Sequence, residues 1–251
     1  MPWFDLKKSL LVIGLSLLAL ESVHAAIALD RTRIIFNGSE KSVSVGISNQ
    51  NPQLPYLAQA WLENDKEEKI SGPLTVLPPV QRLEAGARSQ VKIQRLAQVG
   101  QLPQDRESLF YFNLREIPPR TDKPNALQIA LQTRIKLFYR PEALVRGGGQ
   151  NQVPWQEQLT LSREGERYVV HNPTAYYVTL VDAQVRVGGA SVADFQPVML
   201  APWGRQELSV GARTLGNAPV LTYVNDFGGR PQLEFRCTAG QCLARPVADA
   251  S

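Results

Sequence analysis

From about residue 26 onward, apolar and polar residues alternate in short segments, and no stretch keeps the 3.6-residue spacing of a helix over three turns. The longest alternating run is Leu127 to Arg140. Large apolar residues stand at 127, 129, 131, 135 and 137, with Gln128, Gln132, Arg134 and Lys136 between them. This period-two pattern predicts one strand with one apolar face. At about 3.3 Å per residue it would span about 45 Å, more than twice the length of an ordinary strand. A small sandwich does not need so much strand, so the run is a candidate for a role outside its own domain.

Shorter segments precede it: Arg33 to Phe36, a turn over Asn37 to Lys41, Ser42 to Ile47, Tyr56 to Leu62, Leu74 to Leu77, Arg88 to Leu96 and Ser108 to Leu114. Asn37-Gly38-Ser39 matches a glycosylation pattern, but a strand–turn–strand unit already accounts for Asn-Gly. Pro78-Pro79 cannot donate to a ladder and belongs on an edge or in a loop. The glycine-rich stretch near 147 reads as a link. Alternation then resumes over Gln158 to Leu161, Tyr168 to Val170, Tyr176 to Val187, Ser191 to Phe195, Val198 to Leu200, Glu207 to Val210, Leu221 to Val224 and Leu233 to Cys237. The expected architecture is all-β, with two immunoglobulin-like sandwiches at 26–143 and 152–247, a linker at 144–151 and a tail at 248–251.

The N-terminus follows another pattern. Lys7 and Lys8 precede an apolar run from Ser9 to Leu20, and Val23-His24-Ala25 offers small residues for cleavage. That predicts a secretory leader over 1–25, too short at about a dozen apolar residues to be a membrane span. Its two lysines and two acids cancel, so the exported chain keeps the formal charge of +4. The basic residues form no run and no aromatic-basic interleaving, which argues against nucleic acid. In an oxidising compartment Cys237 and Cys242 predict a local disulfide on the last hairpin, contributing about 2 kcal/mol by chain entropy. A metal site would need further soft ligands, and His171 is the one histidine left after cleavage. No nucleophile elbow or phosphate loop occurs, and His171 reads as structural, so no catalytic residue, metal or cofactor is expected.

Longer motifs carry a resemblance. Leu29-Asp30-Arg31-Thr32-Arg33, Gln53-Leu54-Pro55-Tyr56-Leu57-Ala58-Gln59-Ala60-Trp61, Pro78-Pro79-Val80-Gln81-Arg82-Leu83, the block Asp105 to Arg120 and Ile135-Lys136-Leu137-Phe138-Tyr139-Arg140-Pro141 resemble the periplasmic pilus chaperones of Gram-negative bacteria. Asn172-Pro173-Thr174, Asn225 to Pro231 and the cysteine pair continue the likeness through the second half. It implies an L or boomerang of two sandwiches with a cleft between them, and a non-enzymatic periplasmic chaperone. Such a chaperone completes pilus subunits by donor-strand complementation and delivers them to an outer-membrane usher.

Residue by residue, the resemblance implies that Leu127, Ile129 and Leu131 fill the subunit's groove and that Arg33 and Lys136 bind its C-terminal carboxylate. Glu107, Arg140 and Asp226 would form an ion network between the domains, and Pro78, Pro79 and Ile117 would lie on the usher-facing surface. Strict alternation sets Lys136 opposite Leu131, so a bulge, a twist or the strand's exit from the sheet is expected to re-aim one of them. The exposed strand leaves self-association of the free protein open. The alternative is a structural pilin or adhesin of the same system, although a pilin should be a single incomplete domain.

Overall fold

A computed structural model describes residues 25–121, 127–145, 153–238 and 240–248. Nearly all of the expected leader, most of the linker and the end of the tail lie outside them. Among the described residues no helix is long and apolar enough to cross a membrane.

The first half contains β1 (Ile27–Leu29), β2 (Arg33–Asn37), β3 (Ser42–Asn49), β4 (Tyr56–Glu63), β5 (Lys69–Ile70), β6 (Leu74–Leu77), β7 (Val80–Leu83), β8 (Arg88–Arg95), β9 (Ser108–Ile117) and β10 (Gln132–Arg140). One sheet runs β1-β3-β8-β6; the other runs β2-β10-β9-β4-β5, with β7 beside β4. Alternation sends Ile34, Phe36, Val45, Ile93, Phe112, Leu114 and Leu137 into the space between the sheets, where each is buried. The Asn37 to Lys41 turn does not close a hairpin. It carries the chain between sheets, because β2 pairs with β10 while β3 pairs with β1 and β8. Gly38 is needed for closeness: a Cβ there would lie 2.8 Å from the Glu142 nitrogen and 2.9 Å from the Tyr139 hydroxyl.

The second half contains β11 (Thr160–Glu164), β12 (Arg167–His171), β13 (Val178–Gln184), β14 (Val198–Leu200), β15 (Arg205–Gly211), β16 (Val220–Val224), β17 (Gln232–Thr238) and β18 (Gln241–Pro246). Their hydrogen-bonded path, β14-β13-β16-β17-β18-β11-β12-β15, wraps round a second core of Leu180, Leu208, Leu221, Leu233 and Phe235. Cys237 and Cys242 face each other across the β17–β18 hairpin and are disulfide-bonded. Two strands differ from expectation. Tyr176 to Val187 shortens to β13, followed by a turn through Gly188 at φ 68°. Ser191 to Phe195 supplies a single bridge, Ser191 to Gln184, before turning back on itself.

The long strand is the main correction. Instead of 127–140, β10 covers only Gln132–Arg140, because a strand needs a neighbour. On one side β9 stops at Ile117, before two prolines that cannot donate, and the last bond runs from Glu116 N–H to the Leu131 carbonyl at 3.0 Å. On the other side β2 begins at Arg33, opposite Lys136. Leu127 is therefore 86 % exposed and Ile129 62 %. Of the bulge, twist or exit expected between Leu131 and Lys136, no bulge occurs within β10, which pairs with β9 in unbroken register from Gln132↔Arg115 to Tyr139↔Ser108, and Leu131 lies just outside the strand. Within β10, Ile135 and Leu137 face the core, whereas Lys136 faces the second domain.

Candidate functional site

The parallel pairing of β2 with β10 sets Arg33 directly beside Lys136. On the cleft side, Lys136 Nζ donates to Thr179 Oγ1 at 3.2 Å and Arg33 Nη1 donates to the Val224 carbonyl at 3.0 Å. Arg33 Nε is buried without a partner, and neither cation belongs to an ion pair among the described residues. Burial, aided by the neighbouring Arg33 charge, pulls Lys136 down to about 8. Burial also lowers Arg33, against the opposing pull of Asp226 and Glu107. Two half-buried cations held together without a carboxylate are an unfavourable arrangement that an incoming anion would relieve.

Farther along β10, Arg140 Nε donates to Glu107 Oε1 at 2.8 Å. Its two terminal nitrogens fork onto Asp226 at 2.8 and 3.1 Å. Glu107 Oε2 accepts the Tyr177 N–H at 2.8 Å, and the Arg140 guanidinium stacks on Trp155 and Tyr176. Glu107 and Arg140 are 3 % and 7 % exposed. Burial pushes the Glu107 carboxyl up to about 7 despite Arg140 and the Tyr177 N–H. Burial also weakens Arg140 as a cation, but Asp226 and Glu107 outweigh it, so Arg140 ends above its ordinary value. Phe138 against Tyr177, with centroids 5.5 Å apart, and Arg106 over Trp203 at 4.6 Å add further contacts between the domains. The sequence assigned no role to these aromatics or to Thr179 and Val224, since no local pattern marks a side chain that meets another domain.

The opposite end of β10 is open. Since β2 opposes only Lys136 to Arg140, the backbone from Gln132 to Ile135 has β9 on one side and no strand on the other among the described residues. Beyond it Leu127 and Ile129 meet no core, and Leu131 is half-buried. Pro78, Pro79 and Ile117 do not converge. The two prolines sit exposed between β6 and β7, and Ile117 lines a groove of about 300 Å³ with Pro55, Tyr56, Leu57, Pro118 and Pro119, which neither Pro78 nor Pro79 joins.

Residues 26–145 match the family model for the pili and flagellar-assembly chaperone PapD N-terminal domain. Residues 154–235 match the model for the pili assembly chaperone PapD C-terminal domain. The chain belongs to the pilus-assembly chaperone family. It is 51 % identical to the chaperone protein PapD of Escherichia coli, covering 96 % of this chain and 98 % of that protein. Among solved structures, the periplasmic chaperone SfaE matches with a TM-score of 0.66 at 30 % identity, covering 83 % of this chain and 98 % of the other. The Salmonella enterica SafB chaperone, solved in complex with the SafA pilin, has a TM-score of 0.68 over 90 % of this chain and 98 % of its own; at 24 % identity it speaks for the fold. Membership of this chaperone family sets aside the pilin alternative.

Proposed function

We propose that this chaperone captures pilus subunits in the periplasm by lending them the open edge and apolar row of residues 127–135, and hands them to an outer-membrane usher. The observation that carries the reading is the unpaired edge of β10 that ends at Arg33 and Lys136. A strand continuing the lane of β2 backward from Arg33, with its terminal carboxylate on the two cations, would run parallel to β10. A terminal carboxylate lies in the plane of the sheet, so Lys136 and Leu131 need not share a face, and no bulge is required. Burying Leu127, Ile129 and Leu131 in a subunit would contribute about 1.5–3 kcal/mol each, while main-chain pairing supplies register. Delivery to the usher rests on the resemblance alone, with the exposed Pro78–Pro79 turn and Ile117 as the surfaces concerned.

Co-purification from periplasm tests the reading: tagged chaperone should carry pilus subunits with it. Ile129→Asp, at a side chain 62 % exposed in the free chain, should lower capture at least tenfold and leave the thermal midpoint unchanged. Full capture by that variant, or a lowered midpoint, would speak against a donor segment.

Lys136 also predicts a pH dependence with two opposite signs. Its folded pKa of about 8 lies below the ordinary lysine value, so between about 8 and 10.5 the unfolded chain binds more protons. Lys136 therefore makes the free chaperone gain stability as pH rises through that window, while capture loses a charged anchor. At pH 9 roughly a tenth of Lys136 keeps its proton, so affinity should fall about tenfold from pH 7. Isothermal titration and thermal melts at both pH values check this; a parallel loss of stability and affinity would contradict it.

A further inference from the structure

Glu116 holds a carboxylate that the site above does not use. It is 6 % exposed, its Oε2 accepts the Ile27 N–H at 2.8 Å, and no ion pair among the described residues includes it. A carboxylate so nearly buried is unfavourable without an opposite charge. One source of that charge does not exist in the uncleaved chain. The Ala26 carbonyl accepts the Gln50 N–H at 2.6 Å, which fixes the peptide between Ala26 and Ile27. Successive backbone nitrogens lie within about 4 Å of each other, so the Ala26 nitrogen is within Coulombic reach of Glu116. The backbone of the same residue donates from Glu116 N–H to the Leu131 carbonyl at 3.0 Å, the last ladder bond before the exposed segment.

We infer that the α-ammonium created at Ala26 by leader removal pairs with the Glu116 carboxylate, so that processing completes the joint between β9 and the start of the donor segment. The inference rests on the leader reading for its cleavage site and goes beyond the capture mechanism. Hydrolysis of the Ala25–Ala26 bond by a leader peptidase consumes one water, leaves a carboxylate on Ala25 and frees an amine on Ala26. That amine takes up a proton below its ordinary pKa of about 8. Before cleavage the same nitrogen is a neutral amide and offers Glu116 no charge.

The test uses the full mature chain starting at Ala26 and the same chain carrying one extra glycine ahead of Ala26, each with Glu116 intact and as Glu116→Gln. With Glu116 intact and the natural start, the α-amino group of ¹⁵N-labelled Ala26 should titrate about one unit above its ordinary value. The Glu116 amide should exchange roughly tenfold more slowly than in the extended chain. Both differences should vanish in Glu116→Gln, whose amide oxygen can still accept the Ile27 N–H. An ordinary α-amino titration, or equal exchange at both chain lengths, overturns the inference without requiring any variant to fold. Mass spectrometry of the exported protein separates the two readings: a start other than Ala26 defeats the leader assignment, while the Ala26-start protein still reports on the ion pair.

Discussion

Lys136→Ala should leave both domains folded and cut subunit capture by about 10- to 150-fold, the loss of a charge-assisted bond contributing about 1.5–3 kcal/mol. Free and bound states respond in opposite senses. In the free chaperone Lys136 is a half-buried cation beside Arg33 that donates to Thr179 Oγ1 and, among the described residues, meets no carboxylate, so its removal relieves repulsion and the thermal midpoint should hold or rise. With a subunit present, the same deletion leaves the terminal carboxylate only Arg33. Arg33→Ala should weaken capture by a similar factor, and Lys136→Glu should abolish it by setting one carboxylate against another. Circular dichroism establishes folding and titration with purified subunit reads the affinity. Wild-type affinity in Lys136→Ala would remove the anchor from the account.

Arg140→Ala should be far more damaging to the fold. Its guanidinium satisfies Glu107 and grips Asp226 with two bonds, linking the two domains through one side chain. Truncation leaves Glu107, 3 % exposed, with the Tyr177 N–H as its side chain's one remaining partner among the described residues, and about 3–5 kcal/mol of stability should be lost. Arg140→Lys should recover little of it, because an ammonium cannot reproduce the planar fork onto Asp226 or the stacking on Trp155 and Tyr176. Urea unfolding measures the loss, and small-angle scattering reports whether the domains separate. A change under 1 kcal/mol with unchanged scattering would mean that the network does not hold the domain junction.

Most of the strands were legible because one face of each is buried: Arg33–Asn37, Tyr56–Glu63, Leu74–Leu77 and Val220–Val224 all begin or end within a residue or two of their alternating patterns. The misses have physical reasons. Ile27–Leu29 and Val80–Leu83 are too short to display a period, and Gln241–Pro246 shows no clean alternation and is mostly exposed, held to β17 by the hairpin and its disulfide. The run from Leu127 to Arg140 was overread, since alternation records which face is apolar and says nothing of whether a neighbouring strand exists. Chemistry fared similarly. Arg33 and Lys136 are 103 positions apart in the chain, and only the parallel pairing of β2 with β10 makes them neighbours. No periodicity could reveal that pairing; the resemblance named both residues, and the fold sets them side by side.

A synthetic peptide matching a pilus subunit's last strand, prepared once with a free C-terminal carboxylate and once as the amide, gives the most direct measurement. Binding to the mature chaperone is read by fluorescence anisotropy at pH 7. The account predicts that amidation weakens binding at least tenfold on the wild-type protein and makes little further difference once Arg33 and Lys136 are both alanine. Equal affinity of the two peptides for the wild-type chaperone would contradict it.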